Sequence, residues 1–185
     1  MEKVDIVPLS KETLPQASKL IDEVFRPDVK DGVYPSKDLK SSLNLKSIPG
    51  FKTELTSLNY WVALDKGKVV GITGCYTLIY DEKEATWLGW YCVGPKARGK
   101  GVGKLLLDFI ITKSKREGKK YLRLYTSKDP NEKRANEIYD KLGFRLIKDE
   151  KILKLIDNPK ANPYTEELIF KELKLQPESI TPCLI

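Results

Sequence analysis

The stretch Val93–Lys104 combines glycines with cationic residues and contains no acid. Glycine lets successive backbone N–H groups turn toward one anion, and the apolar run that follows predicts a helix whose positive N-terminus faces the same point. Arg98, Lys100 and Lys104 add charge around that point. The stretch therefore predicts a site for a phosphate-bearing molecule. The alternative is an ordinary glycine turn before a helix, with cations that are only solvated.

Two common phosphate-binding motifs fail at this loop. Gly94–Lys100 matches seven positions of the triphosphate motif G-x-x-x-x-G-K-[ST], but Gly101 stands where a hydroxyl should hold magnesium. Gly99, Gly101 and Gly103 are spaced G-x-G-x-G, whereas the dinucleotide pattern is G-x-G-x-x-G. The preceding segment also reads as an arm of an antiparallel hairpin rather than a buried parallel strand. Neither class of nucleotide site is predicted.

The bulk composition narrows the chemistry. The chain has 185 residues, of which 41% are hydrophobic, so it fits one globular domain with a real core. A net charge of +7 suits an anionic partner, although lysine used for solubility explains the same excess. The chain has no histidine, which excludes Ser-His-Asp and Cys-His nucleophiles and histidine zinc sites. Proton transfer must then use a carboxylate, tyrosine, lysine, cysteine or water.

The cysteines and the first residues predict a reducing environment. Cys75, Cys92 and Cys183 are odd in number and widely spaced, so no disulfide framework, zinc ribbon or metal is predicted. The opening MEKVDIVPLSKE is charged and lacks the apolar run of a signal peptide. No segment approaches the roughly 20 apolar residues of a membrane helix. We expect a cytoplasmic protein without a membrane partner.

The elements that must position the loop follow a mixed α/β pattern. Strands are predicted at Val4–Leu9, Tyr60–Leu64, Val69–Tyr80, Ala85–Val93, Tyr121–Thr126, Phe144–Ile147 and Glu167–Leu175, and helices at Ser10–Phe25, Ser36–Lys46, Gly101–Glu117 and Pro130–Leu142. Asp81–Glu84 reads as a hairpin turn, and the polar stretch around Pro159 and Pro163 reads as a loop. Residues 1–175 are predicted to form one domain, followed by a C-terminal tail at 176–185.

Two motifs, in order and on the expected elements, resemble one family. Arg98–Gly103, R-G-K-G-V-G, fits the [RQ]-x-x-G-x-[GA] signature of the GNAT superfamily of N-acetyltransferases, and Asn136–Phe144 resembles that family's Y-x-x-x-G-F ending. The likeness covers Tyr60–Ile147. It implies a GNAT-like α/β (α+β) fold, with a mixed, mostly antiparallel sheet of six to seven strands and about four flanking helices.

The resemblance also implies acetyl-CoA as cosubstrate, with direct transfer of the acetyl group to a primary amine through a ternary complex. It assigns the pyrophosphate to backbone amides of Arg98, Gly99, Lys100, Gly101, Val102, Gly103 and Lys104, and the pantetheine arm to Cys92 and Val93. A main-chain N–H near Val93 would polarise the thioester carbonyl. Asn131 and Asn136 resemble polar helix residues that contact coenzyme A in relatives.

Tyr139 is the implied proton donor to the leaving thiolate. An unperturbed phenol has a pKa near 10, so it carries a proton at neutral pH and can give it to sulfur. The alternative is packing, since the helix face Ala135, Ile138 and Leu142 is predicted to point inward.

The general base is the gap in the pattern. A lysine-like amine with a pKa near 10.4 is only about 0.04% neutral at pH 7, so its proton must be removed before it can attack. Many relatives place an acid or histidine on the fourth strand, but Trp87–Cys92 offers none. Glu84 is the candidate base, with an exposed turn acid or a water chain to bulk solvent as alternatives.

Periodicity assigns the faces of two elements beside the loop. In the helix, Val102, Leu105, Leu106, Phe109 and Ile110 form the predicted core stripe. In the strand, alternation puts Trp87, Gly89, Tyr91 and Val93 on one face and Leu88, Trp90 and Cys92 on the other. The prediction for both strand faces is core packing. The alternative is that one face lines an acceptor pocket for an apolar or aromatic amine, or stacks a cation.

The sequence leaves three functions open, which differ in whether there is an acceptor and in what kind of molecule it is. The prediction is a small-molecule amine N-acetyltransferase, acting as a monomer or homodimer, and the alternatives are a protein or peptide N-acetyltransferase and a non-catalytic acyl-CoA sensor. A basic surface is formed by Lys113, Lys115, Arg116, Lys119 and Lys120. Without a helix-turn-helix or aromatic RNA-binding motif, no specific nucleic acid is predicted.

Overall fold

A computed structural model of the chain describes residues 4–26, 34–44, 55–156 and 168–175. They form two compact units, unit 1 from Met1–Tyr80 and Trp87–Ile110, and unit 2 from Asp81–Thr86 and Ile111–Ile185. The predicted tail at 176–185 and the end of the predicted helix Ser36–Lys46 lie outside the described residues, as do Pro159 and Pro163.

The described residues contain five α-helices and eight strands. The helices are α1 (Leu14–Val24), α2 (Pro35–Ser42), α3 (Val102–Arg116), α4 (Lys133–Lys141) and α5 (Glu150–Ile156). The strands are β1 (Asp5–Pro8), β2 (Leu55–Asp65), β3 (Lys68–Leu78), β4 (Ala85–Leu88), β5 (Cys92–Val93), β6 (Tyr121–Ser127), β7 (Arg145–Leu146) and β8 (Leu168–Lys174). The strand order is β1-β2-β3-β4-β6-β8-β7, with β5 also paired to β3. The predicted mixed, mostly antiparallel architecture is confirmed, with one strand and one helix beyond the number expected.

In unit 1, β1, β2 and β3 are antiparallel neighbours with helices packed on their side chains. Ala17 and Ile21, one turn apart on α1, are fully buried against a core that includes Leu39 of α2. A second core joins Ala63 of β2 to residues of α3. The strands are therefore packed by two separate apolar clusters.

The buried face of α3 differs from the predicted stripe at Leu105, which is 40% exposed. Val102, Leu106 and Ile110 are buried as predicted, and Leu107 is buried as well. At 100° per residue, these four residues span one continuous arc, and Leu105 lies outside it. The buried arc is therefore rotated by roughly 60° from the arc that the hydrophobic pattern alone predicts.

In unit 2, β8 pairs with β6 along its whole length and with β7 at Glu172 and Lys171. The predicted inner face of α4, formed by Ala135, Ile138 and Leu142, is half-buried. The buried residue of α4 is Tyr139.

The helix α5 lies where a loop was predicted after Ile147. Asp149 starts it, since its carboxylate accepts from the Lys151 N–H at 2.9 Å and its carbonyl accepts from the Leu153 N–H at 3.0 Å. Ile152 is buried. The prediction gave too much weight to polar residues and to prolines that lie further along the chain. None of the helices in the described ranges is long and apolar enough to cross a bilayer.

Candidate functional site

The predicted strand Ala85–Val93 is interrupted by a one-residue bulge. On β3, Cys75 lies opposite Leu88 of β4, and Ile72 lies opposite Cys92 of β5. Between these pairs, two residues of β3 face the three residues 89–91. One extra residue on one strand is the definition of a β-bulge, which ends regular pairing and re-aims side chains.

The bulge overturns the predicted alternation of this segment. Opposite residues of an antiparallel pair point to the same face, so Trp87 opposite Tyr76 and Cys92 opposite Ile72 share one face. The prediction had placed Trp87 with Val93 instead. Beyond the bulge, Trp90 and Cys92 pack with the core of α1 and α2, whereas Tyr91 and Val93 pack with α3. Neighbouring aromatic residues therefore point to opposite faces.

Val93 presents its main-chain groups to the edge of β5 opposite β3. The Gly94 N–H donates to the Val70 carbonyl at 2.9 Å, so Gly94 forms the hydrogen-bonded pair. Because such pairs alternate along an antiparallel ladder, the N–H and C=O of Val93 point away from β3. The Val93 carbonyl accepts from Arg98 Nε at 3.1 Å. Arg98 therefore ties the glycine loop to the strand.

The loop before α3 is open at two glycines. Gly99 and Gly101 have φ of 77° and 81°, a left-handed conformation that favours glycine. A Cβ on either would meet no atom within 4 Å among the described residues. Leu105 is the helix residue whose N–H bonds back to the loop, to the Gly101 carbonyl at 3.0 Å. The N–H groups at the start of α3 have no acceptor within the helix and form a positive end.

The cations predicted around this end are exposed. Arg98, Lys100 and Lys104 all lie at the surface. The Lys104 ammonium pairs with Asp108 one turn along α3, and both side chains are solvated, so the pair adds little stability. Charge is therefore available to an anion, without a rigid arrangement of side chains to hold it.

Gly103 is required for a different reason, close packing. A Cβ there would lie 2.5 Å from the Tyr91 hydroxyl oxygen and 3.7 Å from its Cζ. Burial raises the pKa of Tyr91 to about 12, with the neighbouring Cys92 adding to the shift, so the phenol stays neutral. The Tyr91 hydroxyl thus limits the size of residue 103.

We expect Gly103→Ala to destabilise the protein by about 1–3 kcal/mol, because overpacking forces the Tyr91 ring to move. In a Tyr91→Phe background the same change should be neutral, or stabilising by up to about 1 kcal/mol, since alanine is the better helix former. Urea unfolding of the four proteins gives the coupling between the two sites. Simple additivity would show that Tyr91 does not limit residue 103.

The thiol of Cys92 is buried and is not a reactive group. It is 5% exposed and belongs to the core of unit 1. Burial raises the pKa of Cys92 to about 12. A thiol this basic is protonated at neutral pH and is no nucleophile.

Unit 2 carries the other predicted site residues. Tyr139 is 7% exposed, and its ring centroid lies 5.6 Å from that of Phe144. Asn136 donates to the Ser127 carbonyl at 3.0 Å and accepts from the Lys171 ammonium at 3.1 Å, so it ties α4 to β6 and β8. The exposed Asn131 donates its N–H to the Asp129 carboxylate at 2.7 Å. Both asparagines thus have bonds within the fold.

Glu84 belongs to an ionic cluster that sequence reasoning missed. The Arg123 guanidinium, 1% exposed, donates to Asp81 at 2.7 Å and to Glu172 at 3.1 Å, and lies 3.6 Å from Glu84. Burial lowers the pKa of Arg123, but hydrogen bonds to Asp81 and Glu172 outweigh this and raise it. The available signal was a single charged residue between two apolar positions of a strand. The Glu84 carboxylate is therefore already beside a cation.

A second carboxylate was also missed, in unit 1. Asp38 of α2 accepts a 2.7 Å hydrogen bond from the indole N–H of Trp90 in the bulge. The Phe25 ring packs edge-on against Trp90, with centroids 4.8 Å apart. Burial raises the pKa of Asp38, against the lowering effect of the Trp90 bond. No sequence signal links these residues, because Asp38 and Trp90 are 52 positions apart.

The predicted residues thus separate by unit. Unit 1 brings together Cys92, Val93 and the loop Arg98–Lys104, while Glu84, Asn131, Asn136 and Tyr139 belong to unit 2. Within unit 1 the open strand edge and the positive end of α3 are joined by the Arg98 side chain.

Residues 56–146 match the family described as Acetyltransferase (GNAT) domain. No curated protein matches the sequence. A GNAT family acetyltransferase from Elizabethkingia anophelis, solved with acetyl-CoA bound, is 22% identical, with a TM-score of 0.61 over 95% of this chain and 100% of that one.

Two further structures similar to this chain have named acceptors. Aminoglycoside 6'-acetyltransferase type Ii is 18% identical, with a TM-score of 0.66 over 94% of this chain and 99% of that one. The ribosomal-protein-S18-alanine N-acetyltransferase from Escherichia coli is 16% identical, with a TM-score of 0.63 over 97% and 98%. At these identities the likeness concerns the fold.

Proposed function

The chain belongs to the GNAT acetyltransferases, and on that premise we propose that it transfers an acetyl group from acetyl-CoA to a primary amine of a small molecule. The transfer is direct, within a ternary complex. The observation that carries the proposal is the open glycine loop at the positive end of α3, held by Arg98 to the edge of β5 that points away from β3.

The donor half of the proposal is supported by the fit of unit 1 to a diphosphate. Gly99 and Gly101 leave the loop uncovered, and the N–H groups at the start of α3 offer several donors to one anion. The Val93 N–H points away from β3, so it can donate a hydrogen bond to an acyl carbonyl placed beside β5. The proposed contact of Cys92 with the pantetheine arm is through its main chain only, since the thiol is buried.

The reaction forms one bond and breaks one. The amine nitrogen bonds to the thioester carbonyl carbon, and the carbon–sulfur bond breaks with its electron pair leaving on sulfur. An ammonium acceptor loses two protons in all, one ending on sulfur and one released to water. A donor at the oxygen and a proton source at the sulfur are what a protein must add.

Tyr139 is the proposed proton source, on the basis of the resemblance of its Y-x-x-x-G-F context. Its phenol is buried on α4, and Gly143, which follows the helix, has a φ of 94° that lets the chain turn into β7. A phenol O–H is a suitable acid for a thiolate.

Gly101→Val tests the donor site. Valine at a φ of 81° is strained, so the loop should reorganise and the affinity for acetyl-CoA should fall at least about 100-fold, while the fold persists because no atom is displaced. Calorimetric titration with acetyl-CoA, beside circular dichroism, measures both. Gly118→Val is the matched control, since Gly118 has a φ of 71° at the other end of α3. Equal acetyl-CoA affinity in wild type and Gly101→Val would remove the loop from the donor site.

Thiol release with an amine panel and a peptide panel tests the acceptor. We expect turnover with small primary amines. Turnover confined to peptides would assign a protein acceptor instead, and acetyl-CoA binding without thiol release on either panel would indicate a sensor.

A further inference from the structure

We propose that Asp38 binds the ammonium group of the acceptor and removes its proton. The assignment deepens the proposed acetyl transfer and rests on it. It identifies the acceptor as a primary ammonium that carries an apolar or aromatic group.

The Asp38 carboxylate is held in place by one oxygen only. Oδ2 accepts from the Trp90 indole at 2.7 Å, while Oδ1 accepts no hydrogen bond from the described part of the chain. The side chain is partly exposed, so Oδ1 is open to a ligand. A carboxylate fixed in this way presents its second oxygen in a defined direction.

The charge of Asp38 has no cation beside it among the described residues. Lys37, its neighbour on α2, lies 4.5 Å above the Tyr34 ring instead. The acidic residue of α1 facing α2 is Asp22, whose carboxylate accepts from the Ser36 N–H at 3.1 Å. A partly buried carboxylate without a countercharge is costly, and an incoming ammonium group supplies that charge.

The position of Asp38 relates it to the proposed reaction. Trp90 is the central residue of the bulge 89–91, so the carboxylate lies one side chain away from the main chain that leads to Val93. Phe25 packs edge-on against the same indole. An ammonium bound to Oδ1 would carry its organic group beside these two rings, where apolar or aromatic groups are favoured.

The proton step balances with groups already named. One N–H bond of the ammonium breaks, its electron pair stays on nitrogen, and an O–H bond forms at Oδ1 of Asp38. Burial raises the pKa of Asp38 and so makes it a stronger base than an exposed aspartate. The proton then passes to water, which restores the carboxylate. Glu84, by contrast, has its charge beside the Arg123 guanidinium.

A purely structural role for Asp38 predicts different behaviour. If the side chain only anchors Trp90, then Asp38→Asn, which keeps an oxygen acceptor for the indole, should be silent in every assay. Removing an ionised group whose burial disfavours charge should also leave the melting temperature equal or higher. Loss of function without loss of stability therefore separates the two roles.

The first assay is acetyl transfer from acetyl-CoA to 2-phenylethylamine by the full chain. Asp38→Asn is expected to lower kcat/KM for the amine about 100- to 1,000-fold, with the KM for acetyl-CoA unchanged. Asp22→Asn is the matched control. It also removes a carboxylate charge and keeps a side-chain oxygen that can accept from the Ser36 N–H, and it should stay within about threefold of wild type.

The second readout is binding without chemistry, by thermal shift in the presence of coenzyme A. Wild type should be stabilised more by 2-phenylethylamine than by the uncharged 2-phenylethanol, and Asp38→Asn should lose that difference. If Asp38→Asn keeps wild-type kcat/KM, or binds both probes as wild type does, the assignment of Asp38 is overturned while the acetyl transfer stands. If the wild-type protein does not bind acetyl-CoA and does not release thiol, the proposed function fails. The probe difference between wild type and Asp38→Asn then still decides whether Asp38 is an ammonium site.

Discussion

Arg123→Met is expected to destabilise the protein by about 3–5 kcal/mol, the usual cost of removing one partner of a buried ion pair. Asp81 is 5% exposed in its side chain, and in this variant its carboxylate would stay buried without the guanidinium. Glu172, 25% exposed, would lose the same partner. Urea unfolding, with the slope checked for two-state behaviour, measures the loss.

Two further variants make that expectation specific. Arg116→Met removes an exposed arginine near the end of α3 and should change the stability by less than about 0.5 kcal/mol. Adding Asp81→Asn to Arg123→Met should recover part of the loss, because it removes the uncompensated charge. A loss below about 1 kcal/mol for Arg123→Met alone would mean that water solvates the cluster.

Tyr139→Phe is expected to lower kcat by about 100-fold or more, with the affinity for acetyl-CoA nearly unchanged. Phenylalanine keeps the ring that packs on Phe144 but cannot give a proton to the leaving sulfur. Steady-state thiol release gives kcat, and calorimetric titration gives the affinity.

A second tyrosine of unit 2 provides the control for this prediction. Tyr125 of β6 is 40% exposed, and its ring packs beside Phe170. Tyr125→Phe should leave kcat within about threefold of wild type. Wild-type turnover in Tyr139→Phe would take Tyr139 out of the mechanism and leave it a packing role.

The local sequence pattern predicted an element correctly where its conformation depends on a single physical rule. The glycine loop and its helix follow from composition and periodicity, and Gly118, with a φ of 71°, ends α3 as predicted. The turn Asp81–Glu84 also forms as predicted, since the Glu84 N–H donates to the Asp81 carbonyl at 2.8 Å. These features depend on residues that are adjacent in the chain, so the sequence alone is enough to predict them.

The misses depend on residues that meet only in the fold. The bulge arises from pairing with β3, and the signal for it within Ala85–Val93 is Gly89, since an isolated glycine in a strand often marks a bulge. Tyr139 is more deeply buried than Ile138, because what packs on α4 decides how far each side chain is covered. The hydrogen bond between Asp38 and Trp90 joins residues 52 positions apart, which only the fold brings together. Strand alternation and helix stripes cannot report such contacts.

The bulge at 89–91 has a consequence for how the protein can diversify. Trp90 points to the layer of α1 and α2, and Tyr91, the next residue, points to the layer of α3. If the proposed function is right, replacements at 90 would act on the acceptor through Asp38, and replacements at 91 would act on the packing against Gly103. Deleting one of these three residues would restore regular pairing with β3 and leave Trp87 and Cys92 on the face they share, so the segment would shorten without turning over.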